Sequence, residues 1–229
     1  MSLDPLVIAR LDGGRLVLHA EGLASHFFAV DPSSVGVGAY DSLAGRTSPE
    51  RIELRDVVAL NTTMRARTPH VAWEPLLDRR LEWLEAIPTD LDLITASPDE
   101  WSRLRGDALV EAGLSACVGR GRGVSVATKM LHLKRPRLFP VLDSFVAQML
   151  GGTIADDAPV AVRAARATEL TTHVRDEGRR NLVVLLELQR RLEHERFARS
   201  LVRILDAALW LSHPAAGSGL GRLIEVKRV

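Results

Sequence analysis

The chain predicts a mostly helical fold, and three observations carry that prediction. Aromatic residues make up only 4% of its 229 residues, and β-branched runs are short. Apolar residues recur at spacings of three and four through several segments, as an amphipathic helix requires. Ser97-Pro98-Asp99-Glu100 is a Ser-x-x-Glu capping box with proline at the first helical position, so a helix should start there and turn Trp101, Leu104 and Leu109 inward.

Taken in order, Leu6 to Ala20 has two short apolar runs flanking Asp12-Gly13-Gly14, which predicts a short N-terminal β-hairpin. Val30 to Pro49 is rich in Asp, Pro, Ser and Gly and reads as loop. A helical pattern begins over Ile52 to Met64. A second runs from Val71 to Ile87, with Trp73, Leu76, Leu77, Leu81, Leu84 and Ile87 on its apolar face, and Pro88 ends it. After the capped helix and the segment Cys117 to Gly152, helices are expected over about Val160 to Arg175 and Asn181 to Glu195, the latter with a stripe of Leu182, Leu185, Leu186, Leu188 and Leu192. A last helix, about Ala198 to Leu211, leads into a Gly-, Ser- and Pro-bearing tail from His213 to Gly221. No internal repeat or long linker appears, so a single mostly helical domain over 1–229 is the economical organisation.

Composition removes several function classes. The longest apolar runs, such as Leu182 to Leu186, fall far short of the roughly 20 residues that a bilayer-spanning helix needs, and no signal-peptide pattern opens the chain. No membrane association is expected. Cys117, the single cysteine, can form no internal disulfide, zinc knuckle or iron–sulfur cluster, and a reducing cytoplasm is the expected compartment. Seven histidines show neither i, i+4 pairing nor HExxH, so no metal is expected. No Gly-x-Ser-x-Gly or P-loop occurs, and no cofactor is expected. Of the 30 basic residues only Lys129, Lys134 and Lys227 are lysines. That bias suits phosphate recognition by arginine, but it is also what a GC-rich genome writes, and whole-chain composition says nothing about a site.

The informative stretch is Cys117 to Gly152, CVGRGRGVSVATKMLHLKRPRLFPVLDSFVAQMLGG. Gly119, Gly121 and Gly123 alternate with Arg120 and Arg122 and lead into a helix from Val124 to Leu133. Such a turn can offer backbone N–H groups to a phosphate, and it can equally be a plain interhelix turn. A turn at Lys134-Arg135-Pro136-Arg137 and the run Leu138 to Leu142 then bring the chain to Asp143, which stands where the N-cap of a helix from Ser144 to Leu150 belongs. Between Trp101 and Phe145 the balance is +5, with Arg103, Arg105, Arg120, Arg122, Lys129, Lys134, Arg135 and Arg137 set against Asp107, Glu111 and Asp143, on a chain whose overall net charge is +1.

A glycine-rich turn, a helix, a loop ending in a short apolar run, and Asp at the start of a helix resemble the layout of the helix-hairpin-helix DNA glycosylase superfamily. The wording GVSVATKMLHLKRPRLFPVLDSFV, with YDSLAG at Tyr40 to Gly45, RDVVALN at Arg55 to Asn61 and SLVRILDAALW at Ser200 to Trp210, looks like a bacterial domain family of unknown function. The superfamily resemblance implies an all-helical fold of two lobes, hairpin amides gripping a DNA phosphate, and a nucleotide turned out of the duplex. It places Gly121, Gly123 and Val124 on the hairpin and Asp143 on the essential aspartate, which would stabilise positive charge at the sugar as the base leaves. The DNA-binding set implied in this way is Arg120, Gly121, Arg122, Gly123, Val124, Ser125, Lys129, Lys134 and Arg135. Two departures stand out. The usual Gly-Val-Gly is Gly123-Val124-Ser125, and the position of the lyase lysine aligns with Ala127, so Schiff-base strand cleavage is not expected.

Two further residues are worth weighing. His132 is expected to pack or to touch phosphate. Asp206, flanked by Leu205 and Ala207, is expected to pair with an arginine rather than to act in catalysis, because a lone buried charge is costly. Trp73, Trp83, Trp101 and Tyr40 could stack on a flipped base, although tryptophan at helical spacing is more often core. The functional expectation is a DNA-binding protein, either a monofunctional glycosylase using Asp143 or a non-catalytic nucleic-acid- or protein-binding module on the same scaffold. The sequence leaves the oligomeric state open.

Overall fold

The computed structural model describes residues 3–19, 37–194, 199–216 and 224–227. Parts of several sequence assignments lie outside these residues: Ala20 at the hairpin end, 30–36 of the loop, Glu195, Ala198, and 217–221 of the tail.

The hairpin forms, with β1 (Leu6–Ala9) antiparallel to β2 (Arg15–Leu18). Gly13 sits at φ +83 in the connecting turn, and Asp12 Oδ1 accepts from Gly14 N at 3.0 Å. A strand that the sequence analysis did not assign, β3 (Ile224–Lys227), pairs with the other edge of β2, giving the order β1-β2-β3. The free edge of β1 is covered by side chains rather than by a strand. Asn181 accepts from Val7 N and donates to Val7 O, both at 2.8 Å, while Glu177 Oε2 accepts from Ala9 N at 2.9 Å. An exposed strand edge is thereby closed to further pairing.

Helices make up the rest. They are α1 (Val37–Leu43), α2 (Leu54–Thr63), α3 (Glu82–Glu85), α4 (Pro98–Arg103), α5 (Gly106–Cys117), α6 (Val124–Lys134), α7 (Ser144–Met149), α8 (Val160–Arg180), α9 (Leu182–His194) and α10 (Leu201–Ser212). Helix α4 starts as its capping box requires, with Ser97 Oγ accepting from Glu100 N at 3.1 Å and Trp101 buried. The long α8 packs against α5, while α10 lies against α7, α8 and α9. Leu185, Leu188 and Leu192 of the α9 stripe are buried, and Leu186 remains 46% exposed.

Two segments differ from their sequence assignments. Residues 37–43, read as loop, form α1, whose Tyr40 is fully buried. The expected helix over 71–87 is replaced by a 3₁₀ turn (His70–Ala72), turns, and the four-residue α3. Pro75 cannot donate in a helical ladder. Asp78 takes a left-handed φ of +53, and Leu77 forms a parallel bridge with Ile52. Trp73, Leu81, Leu84 and Ile87 are nonetheless buried, so the apolar spacing reports burial without the helix.

Candidate functional site

The glycine turn joins α5 to α6 across residues 118–123. Gly119 and Arg122 exchange both backbone bonds, at 2.9 and 3.0 Å, around Arg120-Gly121. Gly121 has φ +73, the positive value that the third position of a type II turn requires. Arg122 does not point outward. Its Nε donates to Cys117 O at 2.9 Å, its Nη1 donates to Ala72 O, and its guanidinium lies 5.4 Å from the Trp73 ring centroid. It therefore fastens the turn to the 69–73 segment. Arg120 and Gly121 are exposed, Gly123 and Ser125 half-buried, and Val124 buried.

Two more of the basic residues assigned to DNA turn inward. Lys134 is 3% exposed, paired with Asp56 and donating to Thr47 Oγ1 at 3.0 Å. Arg135 is 2% exposed and donates to the carbonyls of Ile87, Pro49 and Leu84 at 2.8, 2.8 and 2.6 Å. Leu84 and Ile87 lie in and just after α3, so Arg135 holds the irregular 82–87 segment in place. With Arg137 paired to Asp92, the +5 stretch of sequence does not persist as a +5 surface. This corrects the assignment of Arg122, Lys134 and Arg135 to an outward basic face. Their long reach serves backbone carbonyls and one buried carboxylate instead.

The segment from 138 to 143 is held by three side chains from neighbouring helices. His132 Nδ1 bonds Phe139 O at 2.7 Å, Asp206 Oδ2 accepts from Val141 N at 2.7 Å, and Thr128 Oγ1 accepts from Leu142 N at 3.0 Å. Asp143 follows directly as the N-cap of α7. Its Oδ1 accepts from both Phe145 N and Val146 N at 3.0 Å, so the cap occupies a single oxygen and leaves Oδ2 uninvolved in it.

Asp143 lines a cavity of about 400 Å³ between α2, α6, α7 and α10. Its lining combines apolar side chains, among them Met64, Val146 and Trp210, with the charged groups Arg65, Lys129, Asp143, Arg203 and Asp206. Lys129 is half-buried on α6. Burial lowers its pKa, while the neighbouring Asp143 charge works in the other direction. Tyr40 Oη donates to Lys129 O at 2.6 Å, tying α1 to this part of α6. Asp206 is 1% exposed and paired with Arg203, the structural role expected of it. Burial pushes its carboxyl up to about 7, against the lowering effects of Arg203 and the Val141 N–H. Burial likewise lowers the His132 imidazole to about 4, and the ring stacks on Tyr40 at 5.8 Å. His132 packs, as one of its two expected roles required.

Of the aromatic residues considered for stacking on a base, Tyr40, Trp73 and Trp101 are core and Trp83 packs against the core. Trp210, which the sequence analysis did not single out, is the aromatic residue of the cavity wall. Met64, Arg65 and Thr128 were missed as well. Thr128 carried a signal, being a polar residue among the apolar positions of α6; the other two reach the cavity from a distant part of the chain. A second cavity, of about 410 Å³, lies on the far side of Arg203. Its Asp41 is paired with Arg199 and Arg203, and its Asp92 with Arg137. Among the described residues no cluster of His, Cys, Asp or Glu could hold a metal ion, and no helix is long and apolar enough to cross a membrane.

A model for a family of unknown function, DUF6308, matches residues 20–213. The chain belongs to that family. Every residue lining the Asp143 cavity lies within the matched region, whereas all three strands lie outside it. No curated protein matches the chain, and no solved structure does.

Proposed function

We propose that the Asp143 cavity receives a nucleobase turned out of DNA and that Asp143 supports cleavage of its N-glycosidic bond, as in a monofunctional DNA glycosylase. The observation that carries this reading is that Asp143 opens into the cavity with only Oδ1 engaged in capping. The apolar part of the lining, Trp210 included, suits the face of a base, and its charged groups suit the polar edge and the sugar. In the reaction the C1′–N bond breaks, the electron pair leaves with the base, and water supplies OH to C1′ and a proton to balance the departing base. The Asp143 carboxylate stabilises the positive charge that develops at the sugar. The tight turn between α5 and α6, with Arg120 exposed on it, is the element that would meet backbone phosphate.

Ala127, at the position aligned with the lyase lysine, is fully buried and brings nothing to the cavity. Lys129, two residues on, does bring an amine there, so borohydride trapping is part of the test. The expected result is alkali-labile abasic sites from a susceptible lesion with no trapped adduct. Asp143→Asn keeps a capping oxygen and removes the charge; it should lower base release by at least about 100-fold while sparing the fold and DNA binding. Undiminished release by Asp143→Asn would remove this residue from the mechanism. No release by wild type from a broad lesion panel would favour the non-catalytic binding module on the same scaffold.

A further inference from the structure

The charges that line the Asp143 cavity are Arg65, Lys129 and Arg203 against Asp143 and Asp206. Arg203 and Asp206 are committed to the fold. Arg203 Nη1 donates to Asp206 Oδ1 and its Nε to Asp41 Oδ1 at 2.9 Å, while Asp206 Oδ2 accepts from Val141 N. Asp143 uses one oxygen to cap α7. Arg65 and Lys129 make neither an ion pair nor a side-chain hydrogen bond among the described residues. Two uncommitted cations therefore face one carboxylate, and the cavity keeps a positive excess open to an anion.

The backbone at Arg65 is an independent observation. Arg65 has φ +48 and Arg67 φ +51, left-handed values that disfavour any residue with a Cβ. Several bonds hold the chain there. Met64 N and Ala66 N both donate to Leu60 O, at 3.1 and 3.3 Å, and the Asn61 amide exchanges two bonds with the backbone of Thr68, at 2.8 and 2.9 Å. Thr68, 3% exposed, donates in turn to Gly121 O at 3.3 Å, so the Arg65 loop and the turn that carries Arg120 form one frame. Strain maintained in this way around an exposed arginine that gains no protein partner from it points to a ligand.

Resting on the reading of the cavity as a nucleobase site, we infer that Arg65 and Lys129 hold the strand phosphate beside the nucleotide whose base enters it. The unit recognised is then a nucleotide with its phosphate rather than a bare base or nucleoside. A guanidinium fork and an ammonium can donate to the oxygens of one phosphate together. The excess of Arg65 and Lys129 over Asp143 is one positive charge, which balances one phosphodiester. A cavity of about 400 Å³ lies in the range that holds a whole small ligand.

The test is calorimetric binding to the full chain of the four common deoxynucleosides, their 3′- and 5′-monophosphates, and inorganic phosphate. At least one monophosphate should bind about tenfold or more tighter than both its nucleoside and inorganic phosphate, an advantage that shrinks between about 50 and 200 mM salt. A single-stranded DNA pentamer should displace it. Lys129→Met and Arg65→Gly should each reduce the advantage by at least about fivefold while nucleoside binding persists. Arg65→Gly also relaxes the left-handed backbone, so it should lose the phosphate without lowering the thermal midpoint. Asp143→Asn should act in the opposite direction and tighten monophosphate binding, because it removes the opposing charge. The wild-type comparison decides the question if a variant does not fold. No binding by any probe, monophosphates no tighter than nucleosides or inorganic phosphate, no displacement by the pentamer, or an advantage retained by either cation variant would each overturn the proposal. These outcomes are distinct from those for base release. A phosphate-dependent advantage without release from any lesion would keep the subsite and remove the glycosylase reading, and release without that advantage would do the reverse.

Discussion

His132 and Asp206 sit one on each side of the 139–141 segment, and burial shifts their titrations in opposite directions, to about 4 from 6.5 and to about 7 from 3.8. As pH falls from about 6.5 to 4, the unfolded chain protonates its imidazole while the folded protein does not, so His132 makes acid destabilising. From about 7 down to 4 the folded protein binds the Asp206 proton first, so stability rises as pH falls. Each slope approaches about 1.4 kcal/mol per pH unit, and over the shared window they oppose one another. Stability contributed by this pair should therefore be nearly flat between about pH 6.5 and 4 in wild type. His132→Gln should unmask stability that rises towards acid, and Asp206→Asn stability that falls towards acid. Urea midpoints at pH 7, 6 and 5 measure this, and two variants that track wild type in parallel would contradict it.

Among the helices, α4, α6 and α7 were legible because each begins with a local signal, the Ser97 box, the Gly123 turn and the Asp143 cap, and α9 was legible from its apolar stripe, whereas the Ser200 cap of α10 was not read and its start was set at Ala198 instead. The 71–87 segment was misread because its apolar spacing encodes burial, while Pro75 and the bridge to Ile52 decide its geometry. Helix α1 was hidden in a Gly-, Ser- and Asp-rich stretch, and tertiary contacts hold it there: Tyr40 packs on His132 and donates to Lys129 O, and Asp41 pairs with Arg199 and Arg203. Of the site, Asp143 was legible from its cap position and Asp206 from its apolar neighbours. What joins them is the tertiary bond of Val141 N to Asp206 Oδ2, and the neighbouring bond of Leu142 N to Thr128 Oγ1 fixes the approach to Asp143; no local pattern encodes either. Thr128→Val keeps the shape of the residue but strands the buried Leu142 N–H, so it should cost about 1–3 kcal/mol and loosen the approach to Asp143. Thr171→Val is the control, since among the described residues its hydroxyl bonds Ala167 O alone, within its own helix. Equal losses in the two variants would show that Thr128 does no more than fill space.

Across the whole molecule, folding redistributes charge that the linear sequence had gathered. Arg122 bonds the carbonyls of Cys117 and Ala72, Lys134 pairs with Asp56, Arg135 caps the 84–87 carbonyls, Arg137 pairs with Asp92, and Lys129 faces the cavity. Of the eight basic residues in the +5 stretch, Arg103, Arg105 and Arg120 remain exposed without an ion pair among the described residues. Each phosphate neutralised contributes roughly 0.9 to the slope of log affinity against log salt, so this stretch can supply a slope no steeper than about −3. Retention on a duplex DNA column across a salt series should accordingly respond to Arg120→Ala, with a slope shallower by roughly 0.9 and little regard to base sequence. The double change Lys134→Met with Asp56→Asn removes the buried pair without leaving a lone charge, and it should leave the slope unchanged whatever it does to stability. A wild-type slope near −6, or an equal loss from the buried double change and from Arg120→Ala, would mean that DNA meets a different surface from the turn between α5 and α6.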